Sequence, residues 1–299
     1  MRSWLTRHSV TQCINCRWQH WFWTESQSRR LIGQKYNHYL DLYDQYPYKI
    51  NRADVRRYFL MYEYGGVYID LDIESIKSLN EMMEQYPCII AQEPLVHQLL
   101  LYQNNDTSNY AMPAFMACRP NHPFLKLLID KLSHYISKAW NMDWNDNILQ
   151  STGPYYVQAV LNEYQKHYNN TGKNYIHVAP PDWFMPNYDT TNKQVFKKMC
   201  RNRNNSIEAA CRKLKEDTRT GLKNSKTGNE EGAIKKHISV HEHSNFKGPK
   251  QEMNIVNNIA ENEVFTDHHW LHTWSNSFRT NNTRNVGEVV PGIKIVDMS

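Results

Sequence analysis

The spacing of apolar and polar residues along the chain predicts alternating helices and strands. The aromatic segment HWFWT, residues 20–24, is interpreted as a short strand. A helix is expected from about Ser26, and a turn at Pro47 ends this first region. The pattern therefore starts as a strand followed by a helix.

A second helix is predicted over Arg52 to about Tyr64, with Asn51 as its N-cap. Gly65 and Gly66 are expected to end it, because glycine adopts the left-handed conformation freely. The helix is amphipathic. Its end leads directly into the next predicted strand.

The segment VYIDLDI is predicted to be that strand, in which side chains alternate between two faces. One face would hold the apolar residues Val67, Ile69, Leu71 and Ile73. The other would hold the polar residues Tyr68, Asp70 and Asp72. A strand with one apolar face must pack on a core, so the two carboxylates are expected at its open carboxyl end, where α/β sheets bind ligands.

Three further segments continue the alternation. Residues 115–140 predict a strand, a turn at prolines and an amphipathic helix, and residues 151–165 predict a loop leading into a helix. Residues 174–186 predict a strand closed by prolines. Helices that alternate with strands indicate an α/β fold.

The length of 299 residues allows one large domain or two small ones, and we expect a single domain over residues 1–299, with a hydrophilic basic insertion at about 197–263. No Phe, Tyr or Trp occurs between residues 197 and 245, so we expect a solvated segment with at most one short helix. Residues 197–252 contain fourteen Lys and Arg and seven Asp and Glu. Their local charge of +7 exceeds the net charge of +5 of the whole chain. The basic character is therefore local, and no nucleic-acid partner is expected.

Targeting and cysteine patterns add little. No apolar stretch is long enough for a membrane span, and the first residues lack the apolar region of a signal peptide. The pair CINC at residues 13–16 has no second ligand pair at zinc-finger spacing. Cys200 and Cys211 could close a short disulfide loop.

Asp70 and Asp72 suit a hard divalent cation such as Mg²⁺ or Mn²⁺, which prefers oxygen ligands. Taken alone, the pair is more often a solvated strand end. Asp54 and Arg57 lie one helical turn apart and, taken alone, are more often a surface ion pair. Both pairs can face the same crevice, because the helix leads through two glycines into the acidic strand.

The run RADVRRYFLMYEYGGVYIDLD, residues 52–72, resembles the signature of the DXD glycosyltransferases of family 32. That family includes mannosyltransferases and α-1,4-galactosyltransferases. Shorter matches follow in the family's order: FWT at 22–24, RPNHPF at 119–124, TGP at 152–154 and HTW at 272–274. The resemblance covers most of residues 17–160 and the segment 268–278.

The resemblance implies a GT-A fold and a retaining transfer of a hexose from a nucleotide sugar. Asp70 and Asp72 would hold Mn²⁺ or Mg²⁺ on the donor diphosphate, with His272 as a further metal contact. Asp54 and Arg57 would meet the donor, and Arg57, Asp70 and Asp72 would form the catalytic set. The remaining donor contacts implied by the resemblance are Tyr68, Trp274 and Ser275.

The resemblance also implies partners and a location. The residues of the motif favour GDP-mannose as donor, with UDP-galactose second. The acceptor would be a glycan or a glycolipid such as a sphingolipid. Family members are usually Golgi membrane proteins, so membrane association is expected only through a segment that this sequence does not contain.

Three departures from the family pattern stand out, one of which is the basic insertion at about 197–263. The first strand, which usually reads like IPKIIHQ, is not seen, so we expect an N-terminally truncated sequence. The family commonly has Asn just before the strand near residue 114, whereas this chain has Pro113, with Asn109 the nearest candidate.

Three other interpretations remain open. A haloacid-dehalogenase phosphatase also places D-x-D after an apolar strand, but that class needs Thr where this chain has Glu74. A non-catalytic or truncated relative would keep the core without turnover. A lectin-like protein would bind sugar without nucleotide or metal.

Overall fold

The computed structural model describes residues 18–19, 21–97, 99, 110–201, 207–224, 263–268 and 270. Its α-helices are α1 (Glu25–Lys35), α2 (Leu40–Gln45), α3 (Lys49–Tyr64), α4 (Asn80–Gln85), α5 (Pro123–Ala139), α6 (Trp144–Ser151), α7 (Pro154–His167), α8 (Pro181–Phe184), α9 (Lys193–Met199) and α10 (Glu208–Asn224). Its strands are β1 (Gly66–Ile69), β2 (Ile73–Ser75), β3 (Cys88–Gln92), β4 (Ala111–Cys118), β5 (His177–Val178) and β6 (Thr266–His268).

Four of the strands form a mixed sheet in the order β1-β4-β3-β5. β4 pairs antiparallel with both β1 and β3, and β3 pairs parallel with β5. A second, two-stranded sheet joins β2 to β6 in antiparallel register, with Ile73 opposite His268. The predicted α/β class is confirmed, and the architecture is consistent with the GT-A fold that the resemblance implies.

The core lies on both sides of the four-stranded sheet. One cluster packs α3, α5 and α7 against the sheet through residues such as Phe59, Leu128 and Tyr156. A second cluster packs α8 and Phe265 against Val67 and Phe115. Because the sheet is covered on both faces, its ends and the turns that follow them are where polar side chains can reach a ligand.

The start of the chain differs from the sequence prediction in two places. Residues 21–24 form no strand, and α1 begins at Glu25 with Thr24 as its cap, in a reciprocal capping box with Gln27. Helix α3, which is the second helix predicted from the sequence, begins at Lys49, so Asn51 is not its N-cap. The Asn51 side chain is instead buried inside the fold.

The predicted end of α3 is confirmed. Gly65 and Gly66 both have positive φ, 61° and 88°. A Cβ on Gly65 would lie 2.5 Å from Pro120, so this position requires glycine for space as well as for conformation. The Gly65 N–H closes the helix on the Met61 carbonyl at 2.9 Å.

The predicted strand over residues 67–73 is broken by a turn at residues 71–72, between β1 and β2. Val67, Ile69 and Ile73 are buried as predicted, but Leu71 is 46% exposed. The prediction that Leu71 shares the buried apolar face was therefore wrong. The alternation ends where the chain leaves the sheet, and the turn carries both carboxylates.

Pro113, the departure from the family pattern, lies inside β4 rather than before it. The pairing of β4 with β3 shifts register between Ile90 and Ala91, where the partners jump from Met116 to Met112. This irregularity accommodates a residue that has no N–H to offer the ladder. Asn109 lies outside the described residues.

The basic segment is less solvated than its composition predicts. Helix α10 extends over 17 residues, and near its start Ile207, Ala210 and Leu214 pack on Val96 and Phe196 in a third apolar cluster. Cys200 and Cys211 form the disulfide that the sequence allowed, which joins α10 to the end of α9. Residues 225–262 lie outside the described part of the chain, and the single-domain division stays a prediction.

A second disulfide, between Cys88 and Cys118, was not predicted. The two residues are 30 positions apart in sequence but face each other directly in the β3–β4 ladder. Only the register of the sheet brings them together, so sequence spacing carried no signal for this pair.

Candidate active site

The site is built on the turn between β1 and β2. The Asp70 N–H donates to the Ala114 carbonyl of β4 at 2.9 Å, and the Ile73 N–H donates to the Asp70 carbonyl at 3.1 Å. The first bond attaches the turn to the sheet, and the second closes the turn itself. Asp70 and Asp72, one on each side of the exposed Leu71, are thereby held at the end of β1.

His268 completes the group from a distant part of the sequence. Because β6 pairs with β2, His268 lies opposite Ile73, next to the turn. One ligand atom from each of Asp70, Asp72 and His268 lies within 4.8 Å of the others. Two carboxylate oxygens and an imidazole nitrogen at this separation fit a divalent cation that prefers hard ligands.

Asp54 and Arg57 lie behind this turn, on the face of α3 that points toward it. Arg57 Nη2 is 2.8 Å from Asp54 Oδ1 and 3.5 Å from Asp70 Oδ1. Arg57 Nη1 donates to the Pro113 carbonyl at 2.7 Å. The guanidinium therefore links α3, β4 and the acidic turn.

Tyr68 connects the same groups from β1. Its ring lies under the Arg57 guanidinium, with the ring centroid 4.5 Å from Cζ, a cation–π arrangement. Its hydroxyl donates to Asp70 Oδ1 at 2.6 Å. Asp70 is thus oriented both by a hydroxyl and by a nearby positive charge.

A buried hydrogen-bond chain holds Asp54 from the other side. The Thr152 hydroxyl donates to Asp54 Oδ2 at 2.9 Å and accepts from Asn51 Nδ2 at 3.1 Å. Asn51 Nδ2 also reaches the Ser151 hydroxyl, at 3.0 Å, and the Tyr58 hydroxyl donates to the Thr152 carbonyl. The TGP motif at residues 152–154 therefore contacts α3 at Asp54, which Arg57 links to the acidic turn.

Burial shifts the proton affinities of this group. Burial raises the pKa of Asp54 to about 6, against the opposing effects of the Arg57 charge and the Thr152 hydrogen bond. Burial also raises the pKa of Tyr68, so its hydroxyl keeps the proton that it donates to Asp70. Burial lowers the pKa of His268, an effect that the neighbouring Asp72 and Asp70 charges oppose.

The structure brings together five of the residues singled out from the sequence: Asp54, Arg57, Tyr68, Asp70 and Asp72. Three others, His272, Trp274 and Ser275, lie outside the described residues, and their roles stay predictions.

Sequence reasoning missed His268 and Thr152 as members of the site. His268 lies four residues before His272 in the HHWLHTW segment, but the Glu of a helical zinc motif is missing, and only the β2–β6 pairing reveals its place. Thr152 was visible as part of the TGP match. Its contact with Asp54, 98 positions away in the sequence, was not.

Comparison with known proteins relates the segment that carries most of these residues to a family of glycosyltransferases. Residues 3–89 match the family described as glycosyltransferase sugar-binding region containing DXD motif. The resemblance to DXD glycosyltransferases predicted from residues 52–72 is thereby confirmed, and Asp54 through Asp72 fall within the matched segment.

Two curated fungal proteins match about half of the chain. Mannosyl phosphorylinositol ceramide synthase CSH1 of Saccharomyces cerevisiae is 34% identical over 152 residues, which are 51% of this chain and 36% of that relative. Inositol phosphoceramide mannosyltransferase 2 of Schizosaccharomyces pombe is 31% identical over 156 residues, 52% of this chain and 41% of that relative. The chain thus spans less than half the length of these relatives.

Among solved structures, the PaToxG glycosyltransferase covers 63% of this chain, and the match covers 52% of that protein, with a TM-score of 0.30 and 14% identity. A similarity this low carries no argument. In the described part of the chain, no helix is both long and apolar enough to cross a membrane.

Proposed function

We propose that this chain, which carries a glycosyltransferase DXD region, transfers a hexose from a nucleotide sugar in a metal-dependent reaction that retains the anomeric configuration. The observation that carries the proposal is the convergence of Asp70 and Asp72 on one turn, backed by Arg57 and joined by His268. The family match supports the same reaction class.

The donor set fits the cation that this family implies. Asp70 and Asp72 would hold Mn²⁺ or Mg²⁺ through carboxylate oxygens, and the cation would stabilise negative charge on the departing diphosphate. The His268 ring lies beside these carboxylates, 3.5 Å from Asp72 Oδ1. The side chains of Asp70 and Asp72 are 32% and 20% exposed, whereas Arg57 and Asp54 are buried.

The protein's own residues orient these groups. Tyr68 and Arg57 fix the Asp70 carboxylate through a hydroxyl and a nearby positive charge. Arg57 is itself locked by Asp54 and the Pro113 carbonyl, so little reorganisation is needed when charge develops next to it. We propose that Asp54 and Arg57 present the inner wall against which the donor is bound.

The names of the relatives support a mannose donor and a lipid acceptor. They are a mannosyl phosphorylinositol ceramide synthase and an inositol phosphoceramide mannosyltransferase. We therefore propose GDP-mannose as donor, with UDP-galactose second, and an inositol-containing sphingolipid as acceptor. A Golgi location at a membrane surface, which the family resemblance implies, stays a prediction, and no nucleic-acid partner is proposed.

A transfer assay tests the reaction. The purified chain would be incubated with GDP-mannose or UDP-galactose and inositol phosphoceramide, with Mn²⁺, with Mg²⁺ or with a chelator. We expect metal-dependent transfer from GDP-mannose, and a loss of about 100-fold or more in Asp70→Asn and Asp72→Asn. Proton NMR of the product reports whether the anomeric configuration is retained.

Asp130→Asn is the matched control, because it makes the same change at an exposed carboxylate on α5. It should leave transfer unchanged. If the wild-type chain folds cooperatively but transfers from neither donor, the alternative of a non-catalytic relative is favoured. Transfer that persists after chelation would contradict the metal-dependent mechanism.

A further inference from the structure

The hydrogen bonds of His268 determine which of its ring nitrogens carries a proton. The Trp270 backbone N–H donates to His268 Nδ1 at 2.9 Å. A nitrogen that accepts a hydrogen bond carries no proton, and a histidine ring keeps at least one. The proton of His268 therefore lies on Nε2.

That nitrogen faces Asp72. His268 Nε2 is 3.5 Å from Asp72 Oδ1, a close contact that is somewhat longer than the roughly 2.7–3.2 Å of a well-formed N–H···O hydrogen bond. A protonated Nε2 has no lone pair for a metal, since only the unprotonated nitrogen of imidazole is a ligand. Proximity alone would make His268 a third ligand beside Asp70 and Asp72, but its hydrogen bonding favours a different role.

We propose that His268 is a positioning residue that donates a hydrogen bond from Nε2 to Asp72 and does not itself bind the metal. This role rests on the proposed function, because it takes Asp72 to hold a cation. A carboxylate held by a donor on its outer side presents a fixed oxygen to the cation, which is how neighbouring groups commonly tune metal ligands.

Trp270 is constrained in the position that this role requires. It adopts a left-handed backbone conformation, with φ of 51°, which is unusual for an aromatic residue. Its indole Nε1 donates to the Asn187 carbonyl at 3.3 Å, and its ring lies 4.0 Å from the His268 ring between centroids. These contacts aim the Trp270 N–H at Nδ1.

A buried Glu93–His97 pair supports Trp270 from behind. His97 Nε2 accepts from the Asp189 N–H at 2.9 Å, so its proton lies on Nδ1, 3.0 Å from Glu93 Oε2. The His97 ring meets the Trp270 ring edge to face, with centroids 4.5 Å apart. The structure thus assigns opposite tautomers to the two histidines that enclose Trp270.

The tautomers can be measured on the metal-free chain. Histidine labelled with ¹⁵N distinguishes an Nε2-protonated ring from an Nδ1-protonated ring by long-range proton–nitrogen correlations. We expect an Nε2-protonated ring that disappears in His268→Gln and an Nδ1-protonated ring that disappears in His97→Gln. Assignment of an Nδ1 proton to His268 would overturn the proposal.

Pulsed electron paramagnetic resonance of the Mn²⁺-loaded chain tests the ligand role. A nitrogen that coordinates Mn²⁺ in wild type and is lost in His268→Gln would overturn the proposal. We expect no such loss. A coupling that persists in His268→Gln comes from another histidine, for which His272→Gln is the control. Failure of Mn²⁺ to bind at all would overturn the proposed function, and the tautomer measurement would still decide the role of His268.

Variant affinities give a third readout. Gln places an amide donor where His has Nε2, so His268→Gln should keep Mn²⁺ affinity within about threefold, whereas His268→Ala should lose about tenfold. The exposed His134→Gln is the matched control and should change nothing. Equal losses in the Gln and Ala variants would contradict a donor role.

Discussion

The Asp54–Arg57 pair on α3 and the Lys126–Asp130 pair on α5 have similar sequence patterns and very different surroundings. Each joins an acid and a base about one turn apart on one helix. The side chains of Asp54 and Arg57 are 7% and 5% exposed, whereas those of Asp130 and Lys126 are 40% and 48% exposed. Spacing on a helix therefore says nothing about whether an ion pair is buried.

Tertiary contacts make the difference. The α3 pair is covered by Thr152, by the Pro113 carbonyl and by Tyr68, each from a different element. The α5 pair makes one further described contact, from the Tyr39 hydroxyl to Asp130. Water cannot solvate the charges of a buried pair, so each charge is stabilised mainly by the other.

The largest expected effect is on stability when Arg57 is removed. Arg57→Met would leave the Asp54 carboxylate buried without its counter-charge, at a cost of about 3–5 kcal/mol in the free energy of unfolding. Urea denaturation measures this. The double variant Asp54→Asn/Arg57→Met should recover part of the loss, because no unpaired charge then remains. A loss below about 1 kcal/mol for Arg57→Met would show that the pair is not buried as described.

A buried base with no acidic partner among its described contacts makes the stability of the fold depend on pH. His122 is fully buried, and burial together with the nearby Arg119 charge lowers its pKa to about 4. The unfolded chain therefore takes up a proton near pH 6.5 that the folded chain resists until about pH 4. Stability should fall by about 3 kcal/mol as the pH falls through this window.

His122→Asn isolates this contribution. Asn keeps an acceptor for the Phe124 N–H that His122 caps, but it does not titrate. Urea denaturation at pH 7 and pH 4 should show a smaller loss of stability in the variant than in wild type. Parallel losses in the two proteins would contradict the assignment of the shift to His122.

A single hydroxyl tests the hydrogen-bond chain around Asp54. Thr152→Val keeps the shape but removes the donor to Asp54 and the acceptor for Asn51, which should cost about 1–3 kcal/mol. Thr152→Ser keeps the hydroxyl and should recover most of the loss. Equal destabilisation of the two variants would point to packing instead of hydrogen bonding.

The smallest effect is expected at the exposed pair. Lys126→Ala should change the free energy of unfolding by at most about 0.5 kcal/mol, because exposed helical ion pairs contribute little. The change should shrink further in high salt. A loss comparable to that of Arg57→Met would remove the distinction between the two regions.

The sequence was sufficient wherever the signal was local. Gly65 and Gly66 ended α3 as predicted, and Val67 and Ile69 were buried as the strand alternation required. The motif from Asp54 to Asp72 was enough to predict the family resemblance that the match over residues 3–89 confirms, because its residues lie on one continuous helix–strand unit.

The rest depended on contacts between distant segments. Leu71 was misplaced because alternation does not show where a strand leaves its sheet. His268 and Thr152 join the site only through the β2–β6 pairing and the packing of α6 and α7 against α3. The Cys88–Cys118 disulfide likewise follows from strand register.

The proposed function requires the turn that carries Asp70 and Asp72 to hold a metal that binds a nucleotide diphosphate. The most direct test is the thermal midpoint of the chain with GDP or UDP, each with and without Mn²⁺, in wild type and in Asp72→Asn. We expect GDP at 100-fold over its Kd to add about 2.7 kcal/mol of stability to wild type only when Mn²⁺ is present, and to leave Asp72→Asn unchanged. An equal shift without metal, or an undiminished shift in Asp72→Asn, would contradict the claim.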